Sequence, residues 1–195
     1  MNIELSPRAT EIADQAKLLL AAGGYSGFSY ADVSDRVHIC KASIHHHFPS
    51  KAELVRTVVV RDRERANAAR AELDRQFPEP LARLEAYTGH WSDCICEGTS
   101  SVCISVMLAA ELPMIPKEVA NEVRHSFEDL AAWLATILED GERAGQFSLR
   151  DNAQVDALAV MSTVNGAMLT ARALNKPEVF REITRAAISQ LTSSG

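Results

Sequence analysis

Little in this sequence could anchor it in a membrane. The N-terminal stretch MNIELSPRATEIADQAK is acidic and lacks the continuous apolar core of a signal peptide. The most apolar later stretch, residues 155–174, is interrupted by Asp156, Ser162, Thr163 and Asn165. The expectation is a cytoplasmic protein with no membrane partner. Cysteine is scarce as well. Cys40, Cys94, Cys96 and Cys103 are too few to scaffold 195 residues with disulfides, so they read as thiols in a reducing compartment. Convincing runs of strand-like alternation are missing, and helical periodicity dominates throughout, which predicts an all-α chain. With 47% apolar residues there is material for one sizeable core, or two small ones sharing an interface.

The net charge of −6 argues against a nucleic-acid binder, because phosphate contacts supply most non-specific affinity. Its distribution argues the other way. From Arg36 to Lys51 there is no Asp or Glu, while Arg36, Lys41, Lys51 and four histidines fall there. A small basic surface therefore sits on an acidic protein, and two such surfaces on a dimer become useful.

Capping residues and breakers divide the chain into about nine helices. Ser6 and Pro7 open the first, which runs through Ile12, Ala16, Leu19 and Leu20 to a stop at Gly23-Gly24. Ser29 followed by Asp32 is a capping-box pattern and starts a brief helix burying Val33 and Val37. After a corner at His38-Ile39, Lys41 to His47 forms a second short helix ending at Phe48-Pro49. Ser50 and Glu53 start a long one, with Leu54, Val55, Val58 and Val59 buried, that runs to the break at Phe77-Pro78-Glu79-Pro80. Helices follow at about 81–97 and 101–112. A long helix then carries Val119, Val123, Phe127, Leu130, Leu134 and Ile137 to a stop at Gly141, and the last two span 152–174 and from Pro177 to near Leu191.

Two short helices joined by a corner suit the width of the DNA major groove. The segment FSYADVSDRVHICKASIHHHFPSKAEL resembles the TetR family of one-component transcriptional regulators. Its capped short helix, small apolar turn, Lys-x-x-aliphatic recognition helix and following x-x-Lys match that family over about residues 9–58. The resemblance implies a three-helix helix-turn-helix DNA-binding domain, residues 1–50, and a larger effector-binding and dimerisation domain, residues 51–195. It further implies that Ser29 caps a helix and contacts phosphate, that Lys41 contacts phosphate or base, and that Ala42 and Ser43 face base edges. His45 would take a phosphate-contacting tyrosine's place, with His46 beside it, and Lys51 would approach the DNA backbone.

Three residues depart from the family pattern. His38 stands where a glycine normally supplies the left-handed corner. Cys40 replaces a Ser or Thr cap, and His45 replaces tyrosine. Consecutive helical residues point in different directions, so His45, His46 and His47 are not expected to hold one metal ion. At a phosphate surface the run would gain positive charge as pH falls, and so tighten DNA binding.

Downstream, the helix around 155–171 carries Val155, Leu158, Ala159, Met161, Val164, Ala167 and Met168, and is apolar nearly all round. Such a helix must be covered on several faces. The resemblance implies that it pairs with the last helix in a homodimer interface, here Leu158, Met161, Val164, Met168, Ile183 and Ile188. A two-fold dimer would read a near-palindromic double-stranded operator. The family's effector pocket lies among central helices, which supply His90, Trp91, Cys94, Cys103, Met107, Trp133 and Ile137, suited to a small apolar molecule. The expected function is a repressor released from DNA by such a ligand. An alternative is a regulator sensing electrophiles or oxidants through Cys103, Cys94 or Cys96. The CxC pair with a lone His lacks dependable zinc spacing, so no metal site is expected. An enzyme would need a nucleophile–base motif or a cofactor loop, and neither is recognisable, so no catalytic residue or cofactor is expected. A helical adaptor without specific DNA is the remaining reading.

Overall fold

The computed structural model describes residues 5–97 and 102–192, which form nine helices and, among the described residues, no strand. They are α1 (Pro7–Gly23), α2 (Tyr30–Val37), α3 (Lys41–His47), α4 (Lys51–Gln76), α5 (Pro80–Cys96), α6 (Ile104–Ala109), α7 (Lys117–Arg143), α8 (Ala153–Leu174) and α9 (Glu178–Thr192). The described residues fall into two compact units, one within Met1–Ala66 and Cys103–Ser126, the other within Asn67–Val102 and Phe127–Gly195. Compactness thus divides the chain inside α4 and α7, whereas a boundary after residue 50 is a division by motif.

Local capping explains the helix starts in the first unit. The Ser6 hydroxyl accepts from the Ala9 amide at 3.2 Å, and that of Ser50 from the Glu53 amide at 3.1 Å. Ser29 and Asp32 form the expected capping box: the Asp32 carboxylate accepts from the Ser29 amide and hydroxyl, both at 2.7 Å. Those bonds hold the Asp32 carboxyl below its usual range. Ile12, Ala16 and Leu20 of α1, Val33 of α2, Ile44 of α3 and Leu54, Val55 and Val59 of α4 are buried in this unit, together with Ile104 and Leu108 of α6. The Tyr30 hydroxyl donates to the Phe48 carbonyl at 2.8 Å, tying the start of α2 to the end of α3. Burial, then the charges of Glu53 and Tyr25, push that phenol up to about 12, so it stays a donor.

His38 occupies the left-handed region at φ 56° and ψ 42°, where residues other than glycine and, to a lesser degree, asparagine and aspartate carry strain. Cys40 gives α3 no side-chain cap, in keeping with the loss of a hydroxyl there.

In the second unit α9 packs against α8 and α5 over a core of Leu84, Tyr87, Leu134, Ile137, Leu138, Val164, Met168 and Phe180. The break after α4 is held by a buried arginine that sequence reading did not single out. Arg83 Nε donates to the Phe77 carbonyl at 3.0 Å and Nη2 to the Pro78 carbonyl at 3.1 Å. The expected stop at Gly141 is corrected. The helix runs through Gly141 to Arg143, and the left-handed turn belongs to Gly145 at φ 70°. The helix expected at 101–112 is shorter, its start at residue 101 lying outside the described residues and its end closed by a Glu111 amide donating to the Leu108 carbonyl at 3.0 Å.

Candidate nucleic-acid interface and effector unit

The recognition element is α3, anchored by Ile44 and by Phe48 just beyond it, both essentially inaccessible. With Ile44 turned inward, Lys41, Ala42, His45 and His46 are exposed, at the i, i+1, i+4 and i+5 positions of one face. Those four are predicted DNA contacts. Ser43 is half-buried, and its hydroxyl lies 3.3 Å from Cys40 Sγ. His45 sits edge-on to the Tyr30 ring at 4.7 Å, with Nδ1 3.3 Å from the Pro49 carbonyl. Ser29 is exposed, but its proton is committed to Asp32.

Lys51 is engaged within the protein. Its ammonium donates to the Tyr25 carbonyl at 2.5 Å and to that of Phe28, and lies over both rings, 4.6 Å and 4.2 Å from their centroids. Burial pulls its pKa below the ordinary lysine value, against the opposing pull of Glu111 and Asp32. It therefore fixes the loop before α2.

A capped helix, a corner and an exposed second helix carrying Lys41 form a helix-turn-helix, and comparison with known proteins identifies it. Residues 12–58 match the family described as bacterial regulatory proteins, tetR family, and residues 80–187 match the tetracyclin repressor-like C-terminal domain. The chain belongs to the TetR family of transcriptional regulators. It is similar to the crystal structure of a TetR-family transcriptional regulator from Agrobacterium tumefaciens, with a TM-score of 0.94 and 43% identity over 95% of this chain and 98% of that one. The reduced form of E. coli NemR shares the fold, with a TM-score of 0.83 at 16% identity over 95% and 98% of the two chains. Along its whole length the chain is also 22% identical to 97% of the HTH-type transcriptional regulator UidR of Escherichia coli strain K12. It is a DNA-binding transcriptional regulator of helix-turn-helix type.

In this TetR-family chain the predicted effector residues do not all share one unit. Cys103 and Met107 belong to the first; His90, Trp91, Cys94, Trp133 and Ile137 belong to the second. Ile137 is fully buried core. Trp133 is half-buried, donates its indole N–H to Asp74 at 2.9 Å and meets the Tyr87 ring edge-on at 5.3 Å. On α5 the exposed His90 places Nε2 3.7 Å from Cys94 Sγ and its ring 5.9 Å from that of Trp91. The second unit also holds an open cleft of about 480 Å³ between α5 and α9, lined by Glu85, Gly89, Ser92, Arg181, Arg185 and Ile188 among others. Arg181 Nε donates to the buried Ser92 hydroxyl across it at 3.2 Å. None of the predicted effector residues lines that cleft.

The thiols differ in chemistry. Burial and then the Asp62 charge push the Cys103 thiol up, away from thiolate. Cys40 is exposed, and the Ser43 hydroxyl, then the Ser43 amide, pull its thiol down. Iodoacetamide at pH 7.5 is therefore expected to alkylate Cys40 several-fold faster than Cys103, roughly in line with thiolate fraction. Peptide mass spectrometry over a time course checks the order, and faster labelling of Cys103 would contradict it. Cys103 is half-buried, and a raised thiol pKa disfavours it as a reactive sensor.

Of the predicted dimer residues, Leu158 on α8 is 48% exposed, and Ile183 and Ile188 on α9 are half-buried. Met161, Val164 and Met168 are buried within the single chain. Val155 and Leu169, which sequence reading did not assign to the interface, are exposed on α8 with Leu158. α8 is long and apolar enough to cross a membrane by length and composition alone, and part of that apolar surface is core.

Proposed function

We propose that this regulator is a homodimeric, cytoplasmic repressor that reads a near-palindromic operator with the exposed face of α3 and is released by a small molecule bound in its second unit. The observation that carries the DNA reading is the face formed by Lys41, Ala42, His45 and His46 on a helix anchored by Ile44. Short side chains at Ala42 and Ser43 let the helix approach base edges, and Lys41 at its first turn meets phosphate. The apolar strip of α8 supports pairing with a second copy, which sets two recognition helices about one DNA turn apart. A cleft of about 480 Å³ is of a size for a small effector, and antagonism between effector and operator is then reciprocal.

Selection of bound sequences from random duplex DNA tests the operator reading, and an enriched near-palindrome is the expected result. On that sequence Lys41→Ala should bind about tenfold more weakly, with a salt slope smaller by about two, because each subunit of the dimer loses one phosphate contact. Unchanged affinity would remove Lys41 from the DNA contacts, and no enrichment of any sequence at any salt would overturn the operator reading. The same DNA serves to screen small molecules for release.

A further inference from the structure

The loop before α2 is clamped from outside the helix-turn-helix. Glu111 follows α6, and its Oε1 accepts from the Tyr25 amide at 2.7 Å while Oε2 accepts from the Ser26 amide at 3.0 Å. A carboxylate receiving two consecutive backbone N–H groups fixes the plane of that turn, and such charge-assisted bonds are the strong ones. The backbone is shaped around it. Gly24 lies at φ 71°, a conformation that favours glycine, and a Cβ there would fall 1.9 Å from Glu111 Oε1 and displace the carboxylate from the loop amides. On the carbonyl side of the same loop, Lys51 donates to Tyr25 and Phe28. One anion and one cation thus grip Tyr25–Phe28 from its two polar edges, and Ser29, the cap of α2, follows at once. From there Tyr30 reaches the Phe48 carbonyl beyond α3. Glu111 is itself seated by α6 and the turn after it: its amide donates to the Leu108 carbonyl, and its carbonyl accepts from the Met114 amide at 2.8 Å.

We propose that Glu111 is a positioning residue for DNA binding, holding the α1–α2 turn so that the placement of α2 and α3 follows the placement of α6. Burial alone would raise its carboxyl pKa, but the Ser26 and Tyr25 bonds and the Lys51 charge outweigh it and hold the carboxyl below its ordinary value. A displacement of α6 carries the carboxylate with it and loads the turn through two hydrogen bonds. The proposal rests on DNA recognition by α3.

The test compares operator affinity of Glu111→Gln and Glu111→Ala with that of the parent. It also follows amide exchange at Tyr25 and Ser26 by NMR. Removing an acidic side chain from a DNA-binding protein leaves affinity unchanged or strengthens it on electrostatic grounds alone. A positioning role gives the opposite sign, a loss of about tenfold for Glu111→Ala, the size expected for losing charge-assisted bonds. Exchange at the two amides should quicken by about as much, while amides of α8 are unchanged. Glu142→Gln, an equal charge change at an exposed site on α7, should bind as the parent does. If Glu111→Ala fails to fold, Glu111→Gln carries the test, since it keeps the side-chain volume and one acceptor oxygen. Variants that bind within about twofold of the parent, or more tightly, overturn the proposal, since that is below the effect of one such bond. A parent with no salt-sensitive DNA affinity would instead bring down the DNA reading itself.

Discussion

Leu158→Asp/Leu169→Asp is expected to sediment as a monomer at micromolar concentration and to lose operator affinity by at least about a hundredfold, because a single subunit holds one half-site without the effective concentration supplied by the other. The two leucines are 48% and 45% exposed, with Val155 at 46% and Leu174 at 57% on the same helix. Val155, Leu158, Ser162, Gly166 and Leu169 recur at spacings of three, four, four and three, all exposed, which is one stripe along α8. At Gly166 a Cβ would meet nothing within 4 Å, so the middle of the stripe is open to a second helix. Exposed apolar surface of this kind is expected to be covered, and a second α8 meeting it about a two-fold axis covers it on both subunits at once. Because neither leucine belongs to the core, aspartate at both should leave helix content intact. Sedimentation velocity and operator titration read the two consequences separately. A double variant that stays dimeric would place the interface on another face, whereas a monomer that keeps full operator affinity would remove dimerisation from DNA recognition.

What was legible in the sequence follows from the range of the interactions involved. The starts of α1, α2 and α4 were readable because Ser6, Ser29 and Ser50 cap amides only two or three residues away. The proposed DNA-facing residues Lys41, Ala42, His45 and His46 were legible only through the family resemblance, and the burial of Ile44 is what turns that face outward. The strained corner at His38 was readable as a residue standing where glycine is the easy choice. Other features were not. α8 is apolar on nearly every side, so its pattern has no phase, and Met161, Val164 and Met168 looked as suitable for a partner as Leu158. Only packing against the rest of the second unit assigns them to the core. Trp133 looked like a pocket wall because its partner Asp74 is 59 residues away. Lys51 looked free to meet phosphate because the carbonyls that hold it belong to an earlier loop. Glu111 carried no signal at all, its amide partners being 85 and 86 residues distant. A site built by long-range contacts is written in residues that are locally ordinary.

Gly141 shows the same limit, and substituting it gives an effect whose sign local propensity predicts wrongly. Read along the chain it is a helix stop, yet it lies inside α7, where alanine would normally gain about 1 kcal/mol of helix stability. The reason for glycine is Phe147. A Cβ at position 141 would lie 2.0 Å from Phe147 Cδ2 and 2.9 Å from Cγ, against the body of a ring that is 5% exposed. The ring has little freedom to move, because the Phe147 amide donates back to the Gly141 carbonyl at 3.2 Å and the Gln146 amide to the same oxygen at 2.8 Å. Gly141→Ala must therefore push Phe147 out of its seat or bend the end of α7, and overpacking of this kind costs about 1–3 kcal/mol or more. Set against the propensity gain, the net expectation is a destabilisation of about 1 kcal/mol, or roughly 2–4 °C in thermal midpoint for a chain of this size. Gly141→Ala/Phe147→Ala should then be less destabilised than the sum of the two single changes, because the clash is absent once the ring is gone. Thermal or urea unfolding of the four proteins measures that coupling. Additive losses would mean that the glycine serves something other than the ring packed against it.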